Sequence, residues 1–564
     1  MAKIQKLSIE GYRSIRERIE ITFPPGKPVV LLGENNAGKS NIVKALQLVL
    51  GPFWPGNHEP EDHEFFGRDP KRPIGIEIEF SLEDPLGGRF SHVVWCYDAS
   101  ADEPIFFRGI DLVTGEYRYV SNEDRDTCMC IVVEAERNLN YHLSYSSKRT
   151  LLSRLMHRFH RALSGHEGVR QDLEQLFQQT KEKFHEIPEF KRFVDGLKSE
   201  LSDLVSTMSH RLEVDFEAYN PVNFFHALRL QAVEGNTPRT LEEMGTGEQQ
   251  VLALAFAYAY AKAFHSGIVL VIEEPEAHLH PLAQQWLARR LRSRCEEGLQ
   301  IVITTHSPAF LTIEDLEGLT LVYKEDGATK VRQLKCRELV QKCIEMGAPS
   351  NRVTEDNILP FYAANATSDI LSGFFARAVV LVEGQTEELA LPILLAKRGL
   401  EVEREGIAIL GVGGKGDLAK WYRLFTAYGL PCYIIFDNDA EDDDSGTKRK
   451  DALKAVGITD ENAEELIRSD EWIVTEKYTI FGKDFEEAMR VHFRKYSALE
   501  NEAVGQGVER KPFKARWAAQ RLDAESGDPG WVKIDEMIRY LKMLLGEPDR
   551  SQEEHLDEGD ALSF

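Results

Sequence analysis

Residues 378–395 read AVVLVEGQTEELALPILL, and residues 432–439 read CYIIFDND. The run 378–382 is apolar and β-branched, which suits a buried strand, and Glu383 stands where that strand ends. The pattern predicts a helix over 386–397, a second strand over 406–410 and a tight loop at GVGGKGD, residues 411–417. A helix over 418–428 and a third strand over 432–436 follow, the latter delivering Asp437 and Asp439. Strands alternating with helices imply a parallel sheet whose carboxyl ends gather at one edge. Glu383, Glu387, Asp437 and Asp439 are therefore expected to converge there. Glu387 lies one helical turn after Glu383, which puts both carboxylates on the same side of the strand–helix junction.

Four carboxylates drawn together cannot all stay ionised without cations, and hard oxygen ligands select Mg²⁺ or Mn²⁺. The chemistry that follows is two-metal phosphodiester work, one ion activating a water and the other stabilising the leaving oxygen. An Asp-x-Asp alone is a weak signal, because acidic loops such as EDDD at 441–444 are usually just solvated. Glu-Gly after one strand and Asp-x-Asp after the strand two later is much more specific. This arrangement resembles the Toprim domain, shared by topoisomerases, primases and the OLD (overcoming lysogenisation defect) nucleases. The resemblance spans residues 373–545.

Composition bounds what surrounds this core. A chain of 564 residues has room for roughly two to four domains. Its formal charge of −25 excludes a generally basic nucleic-acid binder, so any DNA contact must be local and cation-assisted. The seven cysteines are scattered, odd in number and without CxxC spacing, which reads as reduced structural residues in a cytoplasmic protein. The N-terminus MAKIQKLSIEGYRSI lacks a signal's apolar core. No apolar run reaches the length of about 18 residues that a membrane span needs.

Upstream, residues 29–32 form an apolar strand that runs into GENNAGKS, residues 33–40, and then into the helical NIVKALQLVL. This is a phosphate-binding loop in its required context of strand, Gly-rich turn and helix. Gly33, Asn35, Asn36 and Gly38 would cradle ATP through backbone N–H groups, Lys39 would reach the β and γ phosphates, and Ser40 would ligate Mg²⁺. Much later GIVLVI, residues 267–272, ends in Glu273 and Glu274 within EEPEAHLHP. The first acid suits Mg²⁺ through water, and the second suits polarising an attacking water. MGTGEQQVLALAFAYAYA lies before that strand, a Gly-Thr-Gly-Glu turn opening a long apolar helix, and QIVITTHSPAF after it ends a strand at His306. A zinc set of His278, His280 and His306 is the rival reading of the histidines.

P-loop, signature-like turn, double-acid strand and strand-end histidine, in that order, look like an ATP-binding-cassette ATPase of the recombination, SMC and OLD families, and GYRSI at 11–15 fits the same group. In that group ATP is sandwiched between two heads. The resemblance thus implies that Gly245, Gly247 and Glu248 face a partner's nucleotide, and hence a dimer for hydrolysis. The signature departs from the usual Ser-Gly-Gly-Gln, with Thr246 and Glu248 in the corresponding places. No glutamine is assigned to a Q-loop. Asp62 and Arg137 are further candidates for contacts near the nucleotide, with an ordinary structural role as the alternative.

The expected fold class is α/β: an ABC-type P-loop ATPase over 1–345 with a helical insert at 151–212, a linker at 346–372, a Toprim domain of Rossmann-like parallel-sheet type over 373–545, and an acidic, disordered tail over 546–564. The insert shows helical spacing in LLSRLMHRFHRAL and FKRFVDGLKSELSDLVSTMSHRL and resembles the short dimerisation arm of this superfamily. FFARAVVLVEGQTE is particularly similar to OLD nucleases, in which one chain carries both modules. By that resemblance Asp484 and Glu486, which strand alternation would put on one face, are further metal carboxylates, and Lys511, or alternatively Lys514, stabilises charge on the phosphate. The implied protein is an ATP-binding DNA endonuclease with Mg²⁺ or Mn²⁺, a homodimer or higher homo-oligomer, acting in antiviral defence, with a helicase-like or retron partner. The rivals are an ATP-controlled DNA-binding or repair clamp, and a primase or topoisomerase, for which the chain offers neither a zinc module nor a DNA-gate tyrosine.

Overall fold

The computed structural model describes residues 2–133, 187–204, 210–216, 228–234, 237–239, 244–245, 247–248, 251–252, 255–256, 258–259, 267–277, 279–439, 443 and 445–546. Arg137, Thr246, His278, most of the 151–212 insert and the tail beyond 546 lie outside them. Two compact units form, one from Met1–Leu311 and Glu317–Gln333, the other from Thr312–Leu316 and Leu334–Phe564.

Among the described residues the first unit is built on two six-stranded sheets and a smaller three-stranded one. In the central sheet the order is Ala328–Gln333, Leu319–Glu325, Val29–Leu32, Gln300–Thr304, Gly267–Glu273, Cys128–Val133. All neighbours are parallel except the Leu319–Glu325 and Ala328–Gln333 hairpin. Val29–Leu32 is buried at every position, as is Cys128–Val133, because a parallel sheet is covered on both faces. The second sheet is antiparallel, and Ile74–Phe80 shows why: IGIEIEF alternates buried and half-buried side chains, the signature of a sheet with one face on the core. Ile76, Ile78 and Phe80 from that sheet share one core with Ile42, Leu46 and Val49 of the helix Lys39–Leu50 and with Val29 and Leu31. Burial of each such side chain contributes roughly 1.5–3 kcal/mol.

Where helix was expected through residue 212, the structure differs. The helix Pro188–Leu204 is present, with Phe190, Phe193, Val194 and Leu197 buried, but His210–Phe216 is a strand paired antiparallel to Leu228–Glu234. HRLEVDF alternates with period two, and that pairing won over the helical reading.

The second unit holds a five-stranded sheet in the order Ile407–Gly411, Ala378–Val382, Cys432–Asp437, Tyr478–Phe481, Ile473–Val474. The first four strands are parallel and the last is antiparallel. Ala378–Val382 and Cys432–Asp437 are buried throughout and sit at the centre. Their core is closed by Leu391, Leu394 and Leu395 of the helix Gln385–Lys397 and by Trp531, Ile534 and Met537 of the helix Gly530–Leu544. Residues 346–372, read above as a linker, carry the helices Glu355–Asn365 and Ser368–Ser372. Tyr362 is buried, donates its hydroxyl to the Lys420 carbonyl at 2.7 Å and meets Trp421 edge-on with ring centroids 5.3 Å apart, so this stretch packs as part of the second unit. None of the seven cysteines is disulfide-bonded. Among the described residues no helix is long and apolar enough to cross a membrane.

Candidate nucleotide site and carboxylate centre

The glycine-rich loop 33–38 leaves the strand Val29–Leu32 at Gly33. Gly33 has φ 130°, and a Cβ there would stand 2.0 Å from the Val322 carbonyl oxygen. Gly38 has φ 114° and would drive a Cβ to 2.2 Å from Thr329 Oγ1. Thr329 is itself fixed, donating to the Ala37 carbonyl at 2.7 Å and bonded to Ser14 Oγ at 2.7 Å, so the hairpin and GYRSI hold the loop from behind. Asn36, between the two glycines, has φ 65°. Lys39 opens the following helix, is buried, and donates through Nζ to the carbonyls of Gly33 at 2.7 Å and Glu34 at 2.9 Å. Burial pulls its pKa down to about 8 against the opposing pull of Glu274, Glu276 and Glu34. Ser40 is the second residue of that helix, and Asn35 lies in the turn before it.

Glu273 ends the strand Gly267–Glu273, and Glu274 follows with φ 46°, its N–H donating to the Thr304 carbonyl at 2.8 Å. A third acid, Glu276, was not singled out from the sequence. It accepts the His306 N–H at 2.6 Å and the Thr305 hydroxyl at 2.9 Å, tying the double-acid loop to the strand-end histidine. Burial first, and then the Lys39 charge, lowers the His306 pKa, with Glu274 and Glu276 opposing. His280 instead caps the helix Pro281–Glu296, its Nδ1 accepting the Leu282 N–H at 3.3 Å. Gly245 donates its N–H to Glu248 at 3.2 Å, and Gly247 and Glu248 are helical. Asp62 opens a short 3₁₀ turn whose buried acid is Glu64, bonded to Tyr12 at 3.0 Å and His58 at 2.9 Å.

In the second unit the parallel sheet delivers its acids at one edge. Glu383 follows Ala378–Val382, and Gly384 follows it as the cap of the helix Gln385–Lys397. Glu387, only 3 % exposed, turns back to accept the Gly384 N–H at 3.2 Å. Asp437 is buried at the end of Cys432–Asp437. Asn438, the middle residue of Asp-Asn-Asp, points the other way and donates to the carbonyls of Leu466 at 2.9 Å and Ser469 at 2.7 Å. Arg449 binds the Asn438 carbonyl at 2.6 Å and Asp443 at 3.1 Å. Asp443 is thus a buried anchor of the Asp-x-Asp loop, whereas the sequence reading took the EDDD stretch as solvated. A strand alternation was expected to align Asp484 and Glu486. Asp484 instead caps the helix Phe485–His492, accepting the Glu487 N–H at 2.6 Å, and Glu486 is buried in its first turn. Lys511, at the start of the helix Lys511–Arg521, places Nζ 2.8 Å from Glu486 Oε2. Lys514 lies one turn further along that helix.

The electrostatics tie these groups together. Burial raises the pKa of Glu387 to about 7, and the charges of Glu383 and Glu486 push the same way. Burial, then Glu387, Glu383 and Glu486, raises Asp437 well above the carboxylate range. Glu383 is raised too, by burial and by Asp439, while Lys415 opposes. At Lys511 burial pulls the ammonium down, but Glu486, Asp484 and Asp437 outweigh it and the pKa rises.

Lys415 is the residue that sequence reasoning missed. The turn is made by Gly413 and Gly414, at φ 84° and 140°, and the helix starts at Lys415, three residues earlier than expected. Lys415 is buried, contacts the Asp439 carboxylate, donates to the Asp439 carbonyl at 3.3 Å and lies 3.7 Å from Glu383 Oε1. A lone lysine in a Gly-rich loop at the acid-bearing edge of the sheet was the available signal.

Buried oxygens of Glu383 (Oε2), Asp437 (Oδ1) and Glu486 (Oε1) have no hydrogen-bond partner. Such atoms are costly unless a cation satisfies them, and an all-oxygen donor set suits Mg²⁺ or Mn²⁺. Among the described residues no three acids, histidines or cysteines are drawn tightly enough to enclose an ion as they stand. The cations in place are the ammonium groups of Lys415 and Lys511. The donor chemistry fits a divalent metal, with the carboxylates closing on it.

A family model described as the overcoming lysogenization defect protein-like Toprim domain matches residues 374–439. An AAA ATPase domain model matches 2–103, and a model described as an AAA domain, putative AbiEii toxin, Type IV TA system, matches 136–312. The OLD nuclease of Thermus scotoductus is 27 % identical over 470 residues, covering 79 % of this chain and 85 % of that protein. The Old nuclease of Escherichia phage P2 is 28 % identical over 38 % of this chain and 36 % of its own length. Endonuclease GajA of Bacillus cereus is 21 % identical over 81 % of this chain and 78 % of its own. A crystal structure of an Smc head bound to the C-winged helix domain of ScpA aligns with 60 % of this chain and 99 % of that chain, at 18 % identity and TM-score 0.43. The order of an ATPase module followed by an OLD-like Toprim module, matched along most of one relative's length, makes this chain similar to the OLD nucleases.

Proposed function

We propose that this chain is an ATP-binding, metal-dependent DNA endonuclease of the OLD type, whose Toprim centre cleaves phosphodiester bonds. The observation that carries this is the set of buried, partnerless carboxylate oxygens on Glu383, Asp437 and Glu486 beside two lysines. Glu383, Glu387, Asp437, Asp439, Asp484 and Glu486 would hold Mg²⁺ or Mn²⁺. When bound, the ions supply positive charge against the phosphate and a water made acidic enough to attack. Lys511 steadies charge on the phosphate through its position beside Glu486, and Lys415 keeps Glu383 and Asp439 turned toward the centre. Glu387, with a pKa near neutrality, exchanges a proton as cations enter.

In the ATPase module Lys39 would meet the β and γ phosphates, the N–H groups of Gly33, Asn35, Asn36 and Gly38 would cradle them, and Ser40 with Glu273 would serve Mg²⁺. Glu274 would polarise the attacking water beside His306, whose backbone N–H Glu276 holds. Gly245, Gly247 and Glu248 would complete the nucleotide site of a second head in a homodimer. Antiviral defence and a helicase-like or retron partner belong to this reading through the OLD resemblance alone.

The test is cleavage of supercoiled plasmid with Mg²⁺ or Mn²⁺, with and without ATP, for the wild type, Glu383→Ala and Asp437→Ala. Nicking or linearisation that needs metal and is lost in both variants is the expected result. Cleavage that persists in both variants would remove the Toprim centre from the chemistry. No cleavage by the wild type, with DNA still bound, would favour a clamp.

A further inference from the structure

The second unit has another concave feature, a cleft of about 680 Å³ between the helices Cys336–Glu345 and Glu355–Asn365 on one side and Lys415–Ala427 and Thr447–Ala455 on the other. Six lysine or arginine side chains line it against two aspartates, in a chain whose net charge is −25. A local positive wall on so acidic a chain draws a polyanion to that place and not elsewhere. Some of the cations are paired: Arg423 binds Asp451 at 2.5 Å, Lys450 binds Glu464 at 2.9 Å and Lys454 binds Asp460 at 2.5 Å. Arg423 is buried and stays with Asp451, but Lys450, Lys454 and Lys420, the last 2.9 Å from Asp417, form solvent-exposed pairs worth only about 0–1 kcal/mol, so a phosphate can replace those carboxylates at little cost. Phe361 lines the same cleft, and Lys420 Nζ stands over its ring, 4.2 Å from the centroid.

Position decides what polyanion this is. Gly416 lines the cleft, and its neighbour Lys415 contacts Asp439 and Glu383. The cleft therefore begins one residue from the carboxylate centre. We propose that it is the track for the phosphodiester backbone of the DNA strand running to or from that centre. Lys448 and Lys454 are six residues apart on one helix, about 9 Å along its axis. That exceeds one nucleotide step of about 3.4 Å, so they address different phosphates. The track rests on the nuclease reading above and adds where its substrate lies.

The test is fluorescence anisotropy of labelled single-stranded and duplex DNA in Ca²⁺, over a salt series, with the full chain. The double variant Lys448→Gln/Lys454→Gln is compared with Lys533→Gln, a surface lysine that does not line the cleft. The track predicts binding about tenfold weaker for the double variant, with a salt slope shallower by roughly 1.4–1.8, and little change for Lys533→Gln. Unchanged affinity and slope in the double variant, with the wild type binding well, would overturn the track alone. A wild type that binds neither DNA form would instead overturn the nuclease reading beneath it.

Discussion

Lys415 and Asp439 form an ion pair at the edge of the sheet, and the same ammonium lies 3.7 Å from Glu383. One buried cation thus serves an acid from each of two neighbouring parallel strands. Removing it leaves two carboxylates facing one another with the Asp437 and Glu387 acids behind them. Lys415→Met is therefore expected to lower the stability of the metal-free protein by on the order of 1–3 kcal/mol. The same change should tighten Mn²⁺ binding severalfold, since an ammonium beside a divalent ion repels it. Calorimetric titration and thermal melts of the apo protein check both signs; a variant that matches the wild type in both would show that the contact is incidental.

The raised carboxyls make a pH prediction. Glu387 sits at about 7 in the folded chain against 4.5 when unfolded, so between those values the native state holds a proton that the unfolded state has lost. Stability of the apo protein should accordingly fall as pH rises from about 4.5 to 7 and level off above. Glu387→Gln keeps an acceptor for the Gly384 N–H but cannot ionise, so it should flatten that fall and stabilise the apo protein at pH 7.5. Mn²⁺ affinity of the wild type should climb over the same window, because protons must leave as the ion binds. Denaturant melts at pH 5, 6, 7 and 8 with and without Mn²⁺ would reveal either a falling or a flat profile.

Strand ends were the legible part of this chain. The runs before Glu383, Asp437, Gly33 and Glu273 are short, apolar and β-branched, and each stops at a charged or glycine residue, so sheet edge and site coincide in one pattern. Helix starts were less legible. Lys415 was hidden in GVGGKGD because four glycines suggest a turn, while Gly413 and Gly414 make it, Gly411 ends a strand and Gly416 already lies in the helix. Asp484 was placed on a strand although Asp three residues before Glu487 is a capping signal. Asp443 and Glu276 depend on partners distant in sequence or on backbone N–H groups, which composition does not disclose.

The two candidate lysines can be separated by experiment. Lys511 is 2.8 Å from the buried Glu486 carboxylate, and its pKa is raised by Glu486, Asp484 and Asp437 despite burial. Lys511→Ala should cut the rate of plasmid cleavage by about 10²–10³ with little loss of DNA affinity, the size expected for a lost charge-stabilising group. Lys514→Ala should stay within about threefold, as for a lysine that makes no contact with reacting atoms. The reverse ranking in single-turnover assays would reassign the role.

The nucleotide site has its own test that leaves every charge in place. Gly38→Ala puts a Cβ 2.2 Å from Thr329 Oγ1 at a residue with φ 114°, so the loop must shift away from the hairpin that holds it. ATP affinity should drop by at least about tenfold even though Lys39 and Ser40 are untouched. Lys39→Ala should lower it further, since it removes the ammonium as well. Pairing Gly38→Ala with Thr329→Ala, which opens the space that the new methyl needs, should restore part of the affinity, leaving only the cost of the backbone conformation. If Gly38→Ala bound ATP like the wild type in equilibrium dialysis, the loop would not be the nucleotide cradle; if Thr329→Ala gave no recovery, the clash would not be what displaces it.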